Sequence, residues 1–193
     1  MGKIKVVLVE DDPFWQQNLV QDINREPDIT VTYIASNKTE AIKAVETSEF
    51  DVILLDICLT KNEFDGLELA IEFHRMSVGP IIMLTCLNEK EIILSAFEYG
   101  AVNYITKSSF KDVVHAIREA YYGKVSIHSD VSNTLIAGYR KERKLRVLTT
   151  TEREVFDLRE KGKSKAEIAK MLYKSVDTVK NQWKSIRSKL GGG

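Results

Sequence analysis

The sequence predicts an α/β architecture: a five-stranded, doubly wound parallel sheet, followed by a second, smaller all-α unit. Three observations predict it. Short β-rich runs alternate with amphipathic stretches through the first 123 of the 193 residues. The strand runs are continuously apolar, as strands covered on both faces require. From Thr149 onward every periodic stretch reads as helix.

The strand candidates are 4–9, 30–34, 52–56, 81–85 and 102–105. Between them lie helical patterns at 14–24, 39–47, 67–76, 90–99 and 110–122. Five β–α repeats of this kind imply helices on both faces of one parallel sheet. Beyond Gly123 the pattern weakens. Residues 131–139 fit a helix, and 140–146 (RKERKLR) reads either as a solvated linker or as a polar surface helix. The last segment carries two capping-box patterns, Thr149 with Glu152 and Ser164 with Glu167. Gly162 stands where its first helix should stop. Its third helix is expected from near Ser175 to about Leu190. Three short helices joined by tight turns are the outline of a helix-turn-helix. The expected organisation is therefore 1–123, a linker with a possible helix at 124–147, and a helical domain at 148–193.

The formal net charge is zero, but it is unevenly distributed. Residues 1–123 hold 11 Lys and Arg against 20 Asp and Glu, and residues 124–193 hold 17 against 8. A balance of −9 joined to one of +9 suggests two jobs, the second touching a polyanion. No apolar run approaches the roughly 18 residues of a membrane span, so no membrane role is expected. The N-terminus meets an acidic cluster at once and reads as a first strand, not a secretory signal. Cys58 and Cys86 form no disulfide framework, and a reducing cytoplasm is the expected location.

In a sheet of this class, ligands bind beyond the carboxyl ends of the strands. Strand one ends at Glu10-Asp11-Asp12, strand three at Asp56 and strand four at Thr85, and Lys107 follows strand five. Singly, such residues are turn formers and helix caps. Together they describe one crevice. Its carboxylates repel one another, and an all-oxygen site suits Mg²⁺. A carboxylate in such a site can serve as a nucleophile toward phosphorus. Lys107 would offset charge on phosphoryl oxygens, and the Thr85 hydroxyl could donate to one.

Residues 3–122 resemble the receiver domain of bacterial response regulators, which has a flavodoxin-like fold. The matching residues are VLVEDD, VILLD, DGLEL, MLT and GAVNYITK. The resemblance implies that Asp56 is the phosphoacceptor. It implies that Glu10, Asp11, Asp56 and the backbone carbonyl of Cys58 hold Mg²⁺, and that Thr85 and Tyr104 form a switch pair. The other reading of Tyr104 is a half-buried strand aromatic. Asp12 is a third acid, so Asp11 and Asp12 are alternative ligands. The loop 59–64 (LTKNEF) is about two residues longer than the family pattern. Ser108 follows Lys107 where Pro is common, leaving that turn's geometry open. Cys86 stands where a very small residue is usual. It would slow phosphoryl loss by narrowing water access, or it is a buried inert thiol.

Residues 148–190 resemble the LuxR-type helix-turn-helix of the NarL/FixJ group, through LTTTEREVFDLREKGKSKAEIAKML and SVDTVKNQWKSIRSKL. In the last helix, Val179, Ile186 and Leu190 make an apolar stripe. Lys180, Lys184 and Arg187 make a basic face, with Asn181 beside Lys180. Lys can read guanine edges, Asn can read adenine, and the rest can hold phosphates. The resemblance assigns Lys180, Asn181 and Lys184 to base-contacting positions. Trp183 fits either partial core or an exposed anchor. The resemblance implies a fourth helix after the SKL segment, where this sequence ends; without that helix, a homodimer would be expected to rest on the receiver or on 131–139.

The expected function is that of a phosphorylation-controlled, DNA-binding transcriptional regulator of a two-component system. A cognate histidine kinase would supply the phosphoryl group. Apart from its own Mg²⁺-dependent phosphorylation at Asp56 the chain is not expected to be an enzyme. The alternative is a phosphorylation-independent receiver scaffold whose helical domain binds protein. A metal-dependent phosphatase fits less well, because Cys58 stands where a second acid is needed.

Overall fold

The computed structural model describes residues 2–60, 64–124 and 126–191. The chain divides into two compact units, 1–135 and 136–193.

The first unit is the expected sheet. Its strands are β1 (Ile4–Val9), β2 (Ile29–Ala35), β3 (Val52–Leu55), β4 (Ile81–Thr85) and β5 (Ala101–Thr106). They are all parallel, in the order β2-β1-β3-β4-β5. Helices α1 (Pro13–Asn24), α2 (Lys38–Thr47), α3 (Asp65–Met76), α4 (Lys90–Glu98) and α5 (Val113–Tyr121) connect or follow them. The two-residue period of a strand sends alternate side chains to opposite faces. Val7, Val9, Ile53, Leu55, Met83 and Tyr104 thus share one core with α2, α3 and α4. Val6, Leu8, Leu54, Leu84 and Ile105 share another with α1 and α5. Both layers are buried, which is why the strands read as unbroken apolar runs.

Register decides what meets at the sheet's end. Val9 pairs with Leu55, Leu55 with Met83, and Met83 with Tyr104. The residues just beyond these positions therefore converge on one edge. β3 stops at Leu55, one residue short of the expected strand, so Asp56 already belongs to the turn. Residues 107–112 are a 3₁₀ turn, not the first turns of α5; Ser109 sits at φ −104°, ψ 22°. The Lys107–Ser108 peptide is trans. Of the lengthened loop expected at 59–64, residues 61–63 lie outside the described residues.

One helix, α6 (Ser129–Leu145), joins the helix expected at 131–139 to most of the charged run 140–146, so of the two readings of that run the polar helix is the one observed. Val131 and Leu145 supply buried apolar anchors that the surrounding polar residues obscure. In the second unit, Lys141 pairs with Glu160 and Glu142 with Arg153.

The second unit also contains α7 (Thr150–Glu160), α8 (Lys165–Met171) and α9 (Val176–Lys189). Both capping boxes form as the sequence predicts. Val155, Ile168, Ala169, Val179 and Ile186 make its core, with Leu190 and Trp183 packed against it. Among the described residues, no helix is long and apolar enough to cross a membrane.

Candidate functional site

Opposed charges meet beyond the carboxyl ends of β1, β3 and β5. Glu10 follows β1 and is 1% exposed; Asp56 follows β3 and is 5% exposed. Lys107, just beyond β5, reaches both: Nζ lies 2.6 Å from Glu10 Oε2 and 2.7 Å from Asp56 Oδ2. Burial disfavours the ammonium, but Asp56 and Glu10 together outweigh it and hold Lys107 above its ordinary value. Burial pushes the Glu10 carboxyl up to about 7; the Lys107 hydrogen bond opposes this and Asp56 adds to it. Asp56 Oδ1 accepts from the Ile57 N–H at 2.6 Å.

Glu10, Asp11 and Asp56 each bring a carboxylate oxygen within 4.8 Å of the others. Asp11 is exposed, so this group opens to solvent on one side. Three hard oxygens and an open side fit a divalent cation that keeps several waters. Asp12 takes a different task. It caps α1, accepting from the Phe14 N–H at 2.8 Å.

Thr85 is 1% exposed and Tyr104 fully buried. Both engage Leu87: Thr85 Oγ1 accepts from its N–H at 3.4 Å, and the Tyr104 hydroxyl donates to its carbonyl at 2.8 Å. The Tyr104 ring is already inside the fold, so the half-buried alternative does not hold. Burial raises its hydroxyl above the ordinary range, keeping it a donor. Cys86 is exposed. The buried-thiol reading fails because the strand ends at Thr85 and the chain leaves the sheet there. Cys58 is half-buried, and burial raises its thiol.

Three contributors escape a reading of strand ends. Trp15 on α1 places its ring centroid 5.3 Å from the Lys107 ammonium, a cation–π contact. Gln16 donates to the Glu10 carbonyl at 2.6 Å and to Ser36 Oγ at 3.0 Å. Gly66 lets α3 approach the turn after β3: a Cβ there would lie 2.0 Å from the Asp56 carbonyl oxygen. The DGLEL motif was the available signal for Gly66.

In the second unit, α9 turns Val179 and Ile186 into the core and leaves Lys180, Asn181, Lys184 and Arg187 exposed. Lys180, Lys184 and Arg187 line one surface groove with Trp183, Ser188 and Lys165 of α8. Lys165, which lies between the capping-box residues Ser164 and Glu167, was not among the expected basic residues. Trp183 is half-buried and stacks on Phe156, with centroids 6.3 Å apart. Lys180 is tethered to Asp177 at 2.9 Å. Glu152 closes the α7 capping box and also accepts from Ser185 and Lys189 of α9, at 2.7 and 2.6 Å. These bonds, led by that from Lys189, hold its carboxyl at about 2.

Residues 6–118 match the response regulator receiver domain family, and residues 146–192 match the family of bacterial regulatory proteins of the luxR type. The transcriptional regulatory protein LiaR of Bacillus subtilis is 31% identical over 97% of this chain and 90% of its own length. The nitrate/nitrite response regulator NarL of Escherichia coli K12 is 30% identical over 96% of this chain and 88% of its own. In fold, the chain is similar to the Salmonella typhimurium response regulator RcsB. That match has a TM-score of 0.65 at 24% identity and covers 100% of this chain and 94% of the other. This chain belongs to the response regulators that join a receiver domain to a LuxR-family regulatory domain.

Proposed function

We propose that Asp56 accepts a phosphoryl group and that this modification controls DNA binding by α9. One observation carries the reading: Glu10, Asp11 and Asp56 share a cation-sized site while Lys107 lies 2.7 Å from Asp56. A carboxylate oxygen of Asp56 attacks phosphorus. The bond between phosphorus and the donor atom breaks, and its electron pair leaves with the donor. The donor is a histidine kinase partner or a small phosphodonor. Lys107 offsets charge on the transferred group, and the Thr85 hydroxyl donates to one of its oxygens. Glu10, Asp11, Asp56 and the Cys58 backbone carbonyl would hold Mg²⁺, which supplies charge neutralisation for the carboxylates and the phosphoryl oxygens.

A shift of Thr85 toward the new group would stretch the 3.4 Å bond its Oγ1 accepts from the Leu87 N–H, and Tyr104 holds the other side of Leu87, so the switch is read as acting through the turn after β4. The DNA-binding half of the reading is supported by the LuxR-family match and by the exposed face of Lys180, Asn181, Lys184 and Arg187. Lys180, Asn181 and Lys184 would reach base edges and Arg187 a phosphate. Binding as a homodimer is part of this reading.

Intact-mass measurement after incubation with acetyl phosphate and Mg²⁺ tests it. One phosphoryl adduct, absent from Asp56→Asn, is expected. No adduct would favour a phosphorylation-independent scaffold, and sustained phosphate release at enzyme-like rates would favour a phosphatase.

A further inference from the structure

An acidic residue in the first turn of a helix ordinarily serves its own helix, through the exposed amides and the dipole. Asp130, in the first turn of α6, also reaches outside its helix. Its carboxylate accepts from the Thr106 N–H at 3.2 Å, the Thr106 hydroxyl at 2.7 Å and the Ser109 hydroxyl at 3.3 Å. Burial works against its charge, yet the Thr106 bonds hold the carboxyl below its ordinary value.

Thr106 is a consequential place to grip. It is the last residue of β5 and the neighbour of Lys107 in the chain. Across the sheet it pairs in register with Thr85. It therefore lies between the two groups proposed to meet the phosphoryl oxygens. Other contacts keep the start of α6 at the same edge. The His128 N–H donates to Asn103 Oδ1 at 3.1 Å, and Asn103 is buried in β5. The His128 ring meets Asp112 at 3.0 Å and Asp130 at 3.3 Å. Val131 is fully buried in the core layer that contains Tyr104.

We infer that Asp130 is a positioning residue for the Asp56 site. It fixes the Thr106–Ser109 turn and so aims Lys107, and it couples the charge at Asp56 to the anchoring of α6. This rests on the phosphoacceptor reading of Asp56. Coupling between two events is reciprocal. Where Asp130 stabilises the phosphorylated site through Lys107, linkage requires phosphorylation to tighten the hold on the first turns of α6, the helix that continues into the second unit.

The full chain tests this with acetyl phosphate, Mg²⁺ and two readouts: the rate of adduct formation on Asp56, and amide hydrogen exchange at 128–135. Asp130→Asn is expected to slow phosphorylation at least threefold, and Asp130→Glu to recover part of the rate. Thr106→Val removes the other end of the contact and should slow it similarly, with the double variant little worse than either single one. In the wild type, phosphorylation should slow exchange at 128–135; in Asp130→Asn it should not. An Asp130→Asn rate within twofold of the wild type overturns the inference. So does wild-type exchange at 128–135 that stays the same or speeds up on phosphorylation. A wild type that forms no Asp56 adduct overturns the phosphoacceptor reading itself, and this inference with it.

Discussion

Lys107 and Asp56, 51 positions apart in the chain, meet at 2.7 Å with each side chain 5% exposed. Lys107 is also within 2.6 Å of Glu10, so one cation holds two buried carboxylates together. Removing one partner of a buried ionic cluster leaves uncompensated charge. Lys107→Met is expected to lose about 3 kcal/mol of stability in chelator, measured by urea unfolding, and Mg²⁺ should recover most of it. It should also slow phosphorylation about 100-fold, as loss of a charge-stabilising donor does.

The acidic site gives the cation its own test. Mg²⁺ at 100 times its dissociation constant should add about 2.7 kcal/mol to the wild type. Asp11 is exposed, so Asp11→Asn should change the metal-free protein by less than about 0.5 kcal/mol. The same variant should lose most of the Mg²⁺-dependent gain. Unfolding curves with Mg²⁺ and with chelator separate the two effects.

Gly66 is constrained by space. A methyl group at that position would lie 2.0 Å from the Asp56 carbonyl oxygen, and backbone cannot yield as a flexible side chain does. Gly66→Ala should cost about 1–3 kcal/mol and displace the turn that carries Asp56. Chemical unfolding reads the first consequence. A slower phosphorylation rate at saturating Mg²⁺ reads the second.

Glu152 contributes to the acid sensitivity of the helical unit. Its folded-state carboxyl is held at about 2, below the ordinary 4.5. A depressed carboxylate contributes stability above its unfolded value and loses it as pH falls toward the folded value. That contribution should fade between pH 4.5 and about 2. Glu152→Gln lacks it at all pH values. The variant should therefore be less stable than the wild type at neutral pH, with the gap closing through this window. Trp183 fluorescence in a Trp15→Phe background follows this unit alone.

The basic face predicts two kinds of DNA phenotype. Arg187→Ala and Lys165→Ala should weaken binding on every sequence and reduce the salt slope by about 0.9 each. Asn181→Ala should cost about 1–3 kcal/mol on the preferred site and relax preference at one base pair. Binding titrations at several salt concentrations, on selected and scrambled sites, distinguish them.

How much of this was legible in the sequence depends on where each residue lies. Glu10, Asp56, Thr85 and Lys107 were readable because each directly follows or ends an apolar run, and parallel register brings such ends together. Trp15 was not, because its ring placement depends on how α1 packs, and Gly66 was readable only as part of DGLEL, which does not show how closely α3 approaches Asp56. Residues 110–112 read as the start of the helical pattern 110–122, but with Phe110 as the one apolar residue of 107–112 that segment forms a 3₁₀ turn and α5 begins at Val113. The charged run at 140–146 left linker and helix equally open; burial of Leu145 accompanies the helical outcome. Asp130 looked like an ordinary helix-start acid. Its bonds to Thr106 and Ser109 join residues more than twenty positions apart, which no local pattern reveals.

The central claim is that charge added at Asp56 governs what α9 does. Its most direct test is DNA-site selection followed by binding titration, using wild type and Asp56→Asn with and without acetyl phosphate and Mg²⁺. The account predicts a selected site whose affinity changes at least tenfold on phosphorylation of the wild type and stays constant for Asp56→Asn. Wild-type binding that is indifferent to a verified Asp56 adduct would contradict it.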